Sequence, residues 1–246
     1  MTPLTSGMRA GSRKGKDTMS RDDVFLVRHE SWPAVAESAA ERAVINKLGA
    51  QVVADFYTQL ALGGWAYHIQ VGALSTAVAG TAALTALIGV GVVDNNAGYV
   101  TLPLHGEMHI ATYTTGTLFL SMLEADMAKK RYSSGGTAIT PRNLRGDSPH
   151  AYNGNAYNNT GTLVLAAASA APHTVELGRG VGSEDAQPAT TFTDRGPHFL
   201  WDVRRSGHPV LLVDAGSIVL HHGSTTATDT MYGNLQFAQL DKALIV

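Results

Sequence analysis

The chain has 246 residues and a mass of 25.9 kDa, room for one large domain or one and a half. A hydrophobic content of 44% excludes wholesale disorder. A net charge of -2 and a pI near 6.5 argue against a dedicated nucleic-acid binder. The absence of cysteine excludes a disulfide scaffold, a thiolate metal site and a cysteine nucleophile.

Residues 1–50 read as an N-terminal arm and a helix. The first 23 residues are polar and carry Arg9, Arg13, Lys14 and Lys16. No apolar run follows Lys16, since Asp17, Arg21, Asp22 and Asp23 continue the polar segment and only the short run Val24 to Val27 comes after it. The segment therefore does not read as a signal peptide. Too little of it is apolar to fold alone, so it reads as an arm, either a frayed tail or a segment that orders on a partner. Ser31 as cap and Pro33 in the first turn open a helix that runs to about Leu48, before Gly49. Val35, Ala39, Ala43 and Val44 form its apolar stripe.

From Gln51 the hydrophobic period changes to two, and residues 51–246 read as a β body. The expected strands are 52–60, 65–71, 73–78, 86–93, 99–104, 108–113, 117–124, 162–167, 173–177, 199–203, 210–214, 217–222 and 234–240. Val71 to Val93 is uncharged and long enough to span a bilayer. Its many small residues favour two buried strands meeting at a turn near Gly80-Thr81. Gly106 reads as a turn, the glycine run 178–182 as a loop, and Asp214-Ala215-Gly216 as a tight turn between two strands. The polar stretch 129–160 reads as a long loop with a functional or interface role.

Many short strands without intervening helices exclude a doubly wound or β/α-barrel fold. The expected fold is mostly β, an antiparallel jelly-roll-like sandwich with an N-terminal arm and one short helix. Charged residues make up only 15% of the chain, against about 25% in ordinary soluble domains. Much of the surface is therefore expected to be covered, which points to an oligomer.

Chemical motifs are sparse. His105, Glu107 and His109 would share one face of a strand and suit a mononuclear metal. Their spacing departs from the similar motif of the cupins, which has two histidines one residue apart. Phe25 to Glu30 resembles the opening of the histidine phosphatases, but Glu30 stands where that family has glycine, and no α/β alternation follows. There is no phosphate-binding glycine loop of standard spacing and no Gly-x-Ser-x-Gly elbow. The acids are scattered, with no evident acid/base pair. The basic runs 129–131 and 204–205 read as solvated rim.

One segment carries a family resemblance. Leu123-Glu124-Ala125-Asp126, Ser134 to Ser148 with Gly135-Gly136-Thr137-Ala138-Ile139-Thr140-Pro141-Arg142-Asn143-Leu144-Arg145, and the stretch His208 to Leu220 together resemble virion structural proteins of tailed bacteriophages. The resemblance implies a non-enzymatic capsid decoration or cement protein without a cofactor. It implies a jelly roll, made in the cytoplasm of an infected bacterium and carried on the virion. Its expected partners are the major capsid protein and itself, as a homotrimer, with no membrane and no direct nucleic-acid contact. Arg142, Asn143 and Arg145, in the long polar loop, and the arm residues Arg9, Arg13, Lys14 and Lys16 are the expected partner contacts. A tail-fibre or receptor-binding module, with Tyr152 and Tyr157 as exposed sugar-stacking aromatics, and a cupin-like metalloprotein are the alternatives.

Overall fold

A computed structural model describes residues 55–73, 76–112, 117–184, 197–206, 209–225 and 229–245. The expected arm and the helix over 31–48 lie outside these residues. The first described element is α1 (Phe56–Leu62), where a strand was expected. Asp55 explains the difference, because its carboxylate accepts from the Tyr57 and Thr58 amides and from the Thr58 hydroxyl, the pattern of an N-cap. The strands that follow are β1 (Ala66–Val71), β2 (Val78–Ala79), β3 (Ile88–Asn95), β4 (Tyr99–Thr112) and β5 (Thr117–Asp126). The next are short: β6 (Tyr132–Ser134), β7 (Thr137–Ile139), β8 (Arg142–Asn143), β9 (Gly154–Asn158) and β10 (Val164–Leu165). Then come β11 (Thr174–Glu184), β12 (Phe199–Asp202), α2 (Val203–Ser206), β13 (Leu212–Val213), β14 (Gly216–Ser224), β15 (Thr230–Asp241) and a final 3-10 turn (Lys242–Leu244).

Eight strands define the topology. One sheet has the order β12-β4-β15-β1 and the other β11-β5-β14-β3, with every pair antiparallel. Along the chain, β1, β4, β12 and β15 fall in the first sheet and β3, β5, β11 and β14 in the second, which is the strand arrangement of a jelly roll. Alternating side chains supply the core. Phe119 and Leu123 from one sheet, and Met231, Leu235 and Phe237 from the other, are 2% exposed or less. The expectation of an antiparallel jelly-roll-like sandwich is met.

Several local readings need correction. Tyr99 to Thr112 is one strand rather than two, and Gly106 lies inside it rather than at a turn. A Cβ at Gly106 would lie 3.1 Å from Leu123 Cδ2, so the glycine is there because the opposing sheet comes close. Pro103 is accommodated in this central strand by a bulge, the register passing from Gln236–His105 to Phe237–Pro103. The glycine run 178–182 is part of β11, paired along β5, rather than a loop. Its missing side chains make room for Trp201, Phe199 and Phe119. Asp214, with φ 63°, does form a tight turn. The strands beside it belong to different sheets, since β13 pairs with β4 while β14 pairs with β3 and β5. The turn is a crossover between layers, not a hairpin. The uncharged stretch 71–93 spreads over the end of β1, β2 and most of β3, and no helix among the described residues is long and apolar enough to cross a membrane.

The long polar stretch is not structureless. Between β5 and β11 it adds β8 to the edge of one sheet, β9 and β7 to the edge of the other, and a separate β6–β10 ribbon. The ribbon leans on the outer surface of the second sheet. Tyr132 stacks on Tyr157 with ring centroids 3.5 Å apart, and Leu165 closes over Gly89. Arg131, expected at a solvated rim, is instead 6% exposed. It is ion-paired with Glu124, lies 3.8 Å from Asp126, and donates from Nε to the Ala166 carbonyl. Asp94 accepts from the Arg131 and Tyr132 amides and from the Ser217 hydroxyl. These groups are a buried fastening for the insertion.

Candidate functional site

Outside the core, the most concentrated polar chemistry lies on the outer surface of the first sheet. Register alone assembles it. Arg142 pairs with His68, His68 with Gln236, Gln236 with His105, and His105 with Asp202. These five residues, one from each of β8, β1, β15, β4 and β12, form a row across the strands, because directly opposed residues point to the same face. A second row runs Gln70, Asn234, Glu107 and Leu200, and a third begins with Tyr232 and His109. Most of these side chains are half-buried, while Arg142, Gln70 and Leu200 are exposed.

Hydrogen bonds and charge order this face. Asn234 Nδ2 donates to Glu107 Oε1 at 2.9 Å. His105 lies between two carboxylates, with Nε2 3.4 Å from Glu107 and Nδ1 3.5 Å from Asp202. Burial opposes ionisation of Glu107, but the Asn234 donor and the flanking His105 and His109 outweigh it and hold the carboxyl below its usual range. Burial, then the neighbouring Arg142, pushes the pKa of His68 down, so its ring is neutral near pH 7 and both donates and accepts. Where the row meets α1 there is an open cleft of about 330 Å³. Tyr57, Thr58 and Ala61 form one wall, and His105, Asp202 and Gln236 form the floor. Arg204 borders the cleft, lying 5.2 Å over the Tyr57 ring and pairing with Asp55 at 3.4 Å.

The expected metal trio of His105, Glu107 and His109 does share this face, with His109 Nε2 3.9 Å from Glu107 Oε2. Among the described residues, however, no group of three or more histidine, cysteine or acidic side chains is placed to hold a metal ion.

The expected partner contacts fall into three groups. Arg9, Arg13, Lys14 and Lys16 lie outside the described residues. Arg142 is exposed at the end of the polar row. Asn143 and Arg145 bind their own chain. Asn143 donates to the Gly64 and His150 carbonyls, and Arg145 donates to the Leu62 carbonyl and pairs with Asp147 at 2.7 Å. Together they pin this segment to the end of α1. Tyr152, expected to be exposed for stacking on sugars, packs instead on Tyr67 and Phe237 and donates its hydroxyl to the Asp94 carbonyl. Tyr157 is half-buried against Tyr132.

Sequence reasoning passed over a second cluster, inside the sandwich. Ser121 Oγ lies 2.7 Å from His198 Nε2 and 2.9 Å from His222 Nδ1. His222 and Ser121 are fully buried and His221, next along β14, is 6% exposed. His198 and His222 are 77 and 101 residues from Ser121 in sequence, so only the pairing of β5 with β14 and the packing across the core bring them together. Comparisons with protein-family models, with curated proteins and with solved structures found no match.

Proposed function

We propose that this chain is a non-catalytic structural protein of a tailed-phage virion, a decoration or cement protein that binds and stabilises the capsid shell through the major capsid protein and assembles as a homotrimer. One observation carries the proposal. The outer surface of the second sheet is half covered by the β6–β10 ribbon, and its other half, on β5 and β11, presents apolar side chains. Val181 is 71% exposed and Leu118 45% exposed. Val181 opposes the half-buried Leu120 in register, and Met122 follows on the same face. A contiguous apolar patch beside a long sheet edge fits association with another protein surface. The resemblance of residues 134–148 and 208–220 to virion proteins names the kind of partner.

The jelly roll supports the same reading, since it is a recurrent fold of viral shell domains. In this reading the arm residues Arg9, Arg13, Lys14 and Lys16 order against the shell, as does Arg142 at the sheet edge. Light scattering and co-sedimentation with purified shells test the proposal. Three copies of a 25.9 kDa chain, about 78 kDa, that sediment with shells are expected, and Leu118→Asp with Val181→Asp should release them. A monomer that ignores shells would overturn the proposal.

A further inference from the structure

We propose that the outer face of the first sheet is a saccharide site, taking a neutral polyhydroxylated chain laid across the strands with one sugar ring seated in the cleft beside α1. The inference rests on the opposite face of the sandwich from the apolar patch and shares only Arg142 with the virion reading.

The row Arg142, His68, Gln236, His105 and Asp202 places one polar side chain on each of five adjacent strands. Adjacent strands lie about 4.8 Å apart, so the row is a track of roughly 19 Å. Its groups run from a guanidinium that only donates, through two imidazoles and an amide, to a carboxylate that only accepts. Sugar hydroxyls donate and accept at once, which matches such a mixed row better than a ligand of single polarity. The cleft adds apolar surface for the C–H face of a ring, from Tyr57, Ala61 and Leu144. Its size, about 330 Å³, is at the small end for ligand sites and suits one ring rather than a large cofactor.

Charge argues against the rival ligands. Glu107 and Asp202 face the track, Arg204 is paired with Asp55, and Arg142 stands at the far end. An anionic chain would meet both carboxylates. A lipid or an apolar helix would have to desolvate histidines, amides and acids along the whole row.

Native electrophoresis through gels containing a neutral polysaccharide tests the site, with dextran, amylose, xylan and galactomannan as probes and alginate as the anionic counterpart. At least one neutral gel should retard the protein. Gln236→Ala and Asp202→Ala should each weaken that retardation tenfold or more, and Arg142→Ala less. Thr160→Ala, exposed between β9 and β10 and away from the track, should leave it unchanged. Three results would overturn the proposal: no retardation in any neutral gel, retardation by alginate alone that salt abolishes, or retardation untouched by all three substitutions on the track. Circular dichroism of each variant identifies a misfolded one, and Arg142→Ala, at an exposed position, keeps the test open if an inner variant fails to fold.

Discussion

Acidification should unfold this protein earlier than its carboxylates alone require. Burial pushes His198 down to about 3 and His221 and His222 to about 4, against about 6.5 for a solvated histidine. The unfolded chain takes up these protons near pH 6.5, while the folded chain resists them until about pH 4. Their contribution is therefore intact above pH 6.5, falls as the pH drops from there towards 4, and then levels off. Each histidine costs about 1.4 kcal/mol per pH unit inside that window, or about 3 kcal/mol across it. The three together reach about 10 kcal/mol as an upper bound, comparable with the whole stability of an ordinary domain. The groups facing them bear on the size of the effect. His198 meets Ser121, His222 and the more distant His109; His222 meets Ser121 and Asp229; His221 meets Arg131 and, at 3.7 Å, Glu124. Asp94 works in the opposite direction, since burial raises its pKa and its protonation favours the folded state. Asp126 and Glu107 are held low and act only in stronger acid. Urea titrations at steps from about pH 7.5 to 4.5 would measure the slope, which should approach about 4 kcal/mol per pH unit near pH 5.5. His221→Leu, which removes one ring, should reduce that slope by about a third. A stability flat between pH 6.5 and 5 would refute the reasoning.

Asn95→Ala should cost about 3 to 5 kcal/mol, read as a fall in the thermal midpoint, because one buried amide donates to the Tyr99, Leu212 and Asp214 carbonyls and accepts from Gln239. Arg131→Ala should cost more than the double variant in which Arg131 becomes Met and Glu124 becomes Leu, since the single change strands buried carboxylates; equal losses in a denaturant series would argue against a buried ion pair. Gly182→Val should destabilise strongly, because even a Cβ there would lie 2.4 Å from the Phe119 ring; a variant with the parent midpoint would show that β11 and Phe119 are not packed in this way. Deleting residues 1–23 should leave the melting of the body unchanged and lower the occupancy of capsid shells, measured by sedimentation; normal occupancy would remove the arm from the proposed contact.

Strands with clean alternation announced themselves in the sequence. Leu118, Leu120 and Met122 alternate in β5, and β1, β3 and β14 lie close to their expected positions. Where other constraints overrode the pattern, the sequence misled. In α1, Phe56, Tyr57, Leu60 and Ala61 fit a helical spacing as well as a strand, and the cap at Asp55 was the signal that distinguished them. In β11 the glycines looked like punctuation, but they accommodate aromatic rings from neighbouring strands. The polar row was beyond reach because it depends on register across five strands, and no local window contains register. The same holds for Ser121 with its two histidines, and for Arg131, whose burial is decided by a ribbon that folds back over it.

The position of β15 has a consequence for synthesis. It pairs with β4 on one side and β1 on the other, with Ala66 opposite Ala238. Until about residue 241 has left the ribosome, β1 and β4 have no shared neighbour, and their sheet exists only as separate edges. The body must therefore close late, once β15 has emerged, and closure waits on contacts between its first and last strands, which slows folding. In that interval the unpaired edges can recruit other copies. Rapid production would then favour misassembly, and slower synthesis or a chaperone that shields β strands would favour the native sandwich.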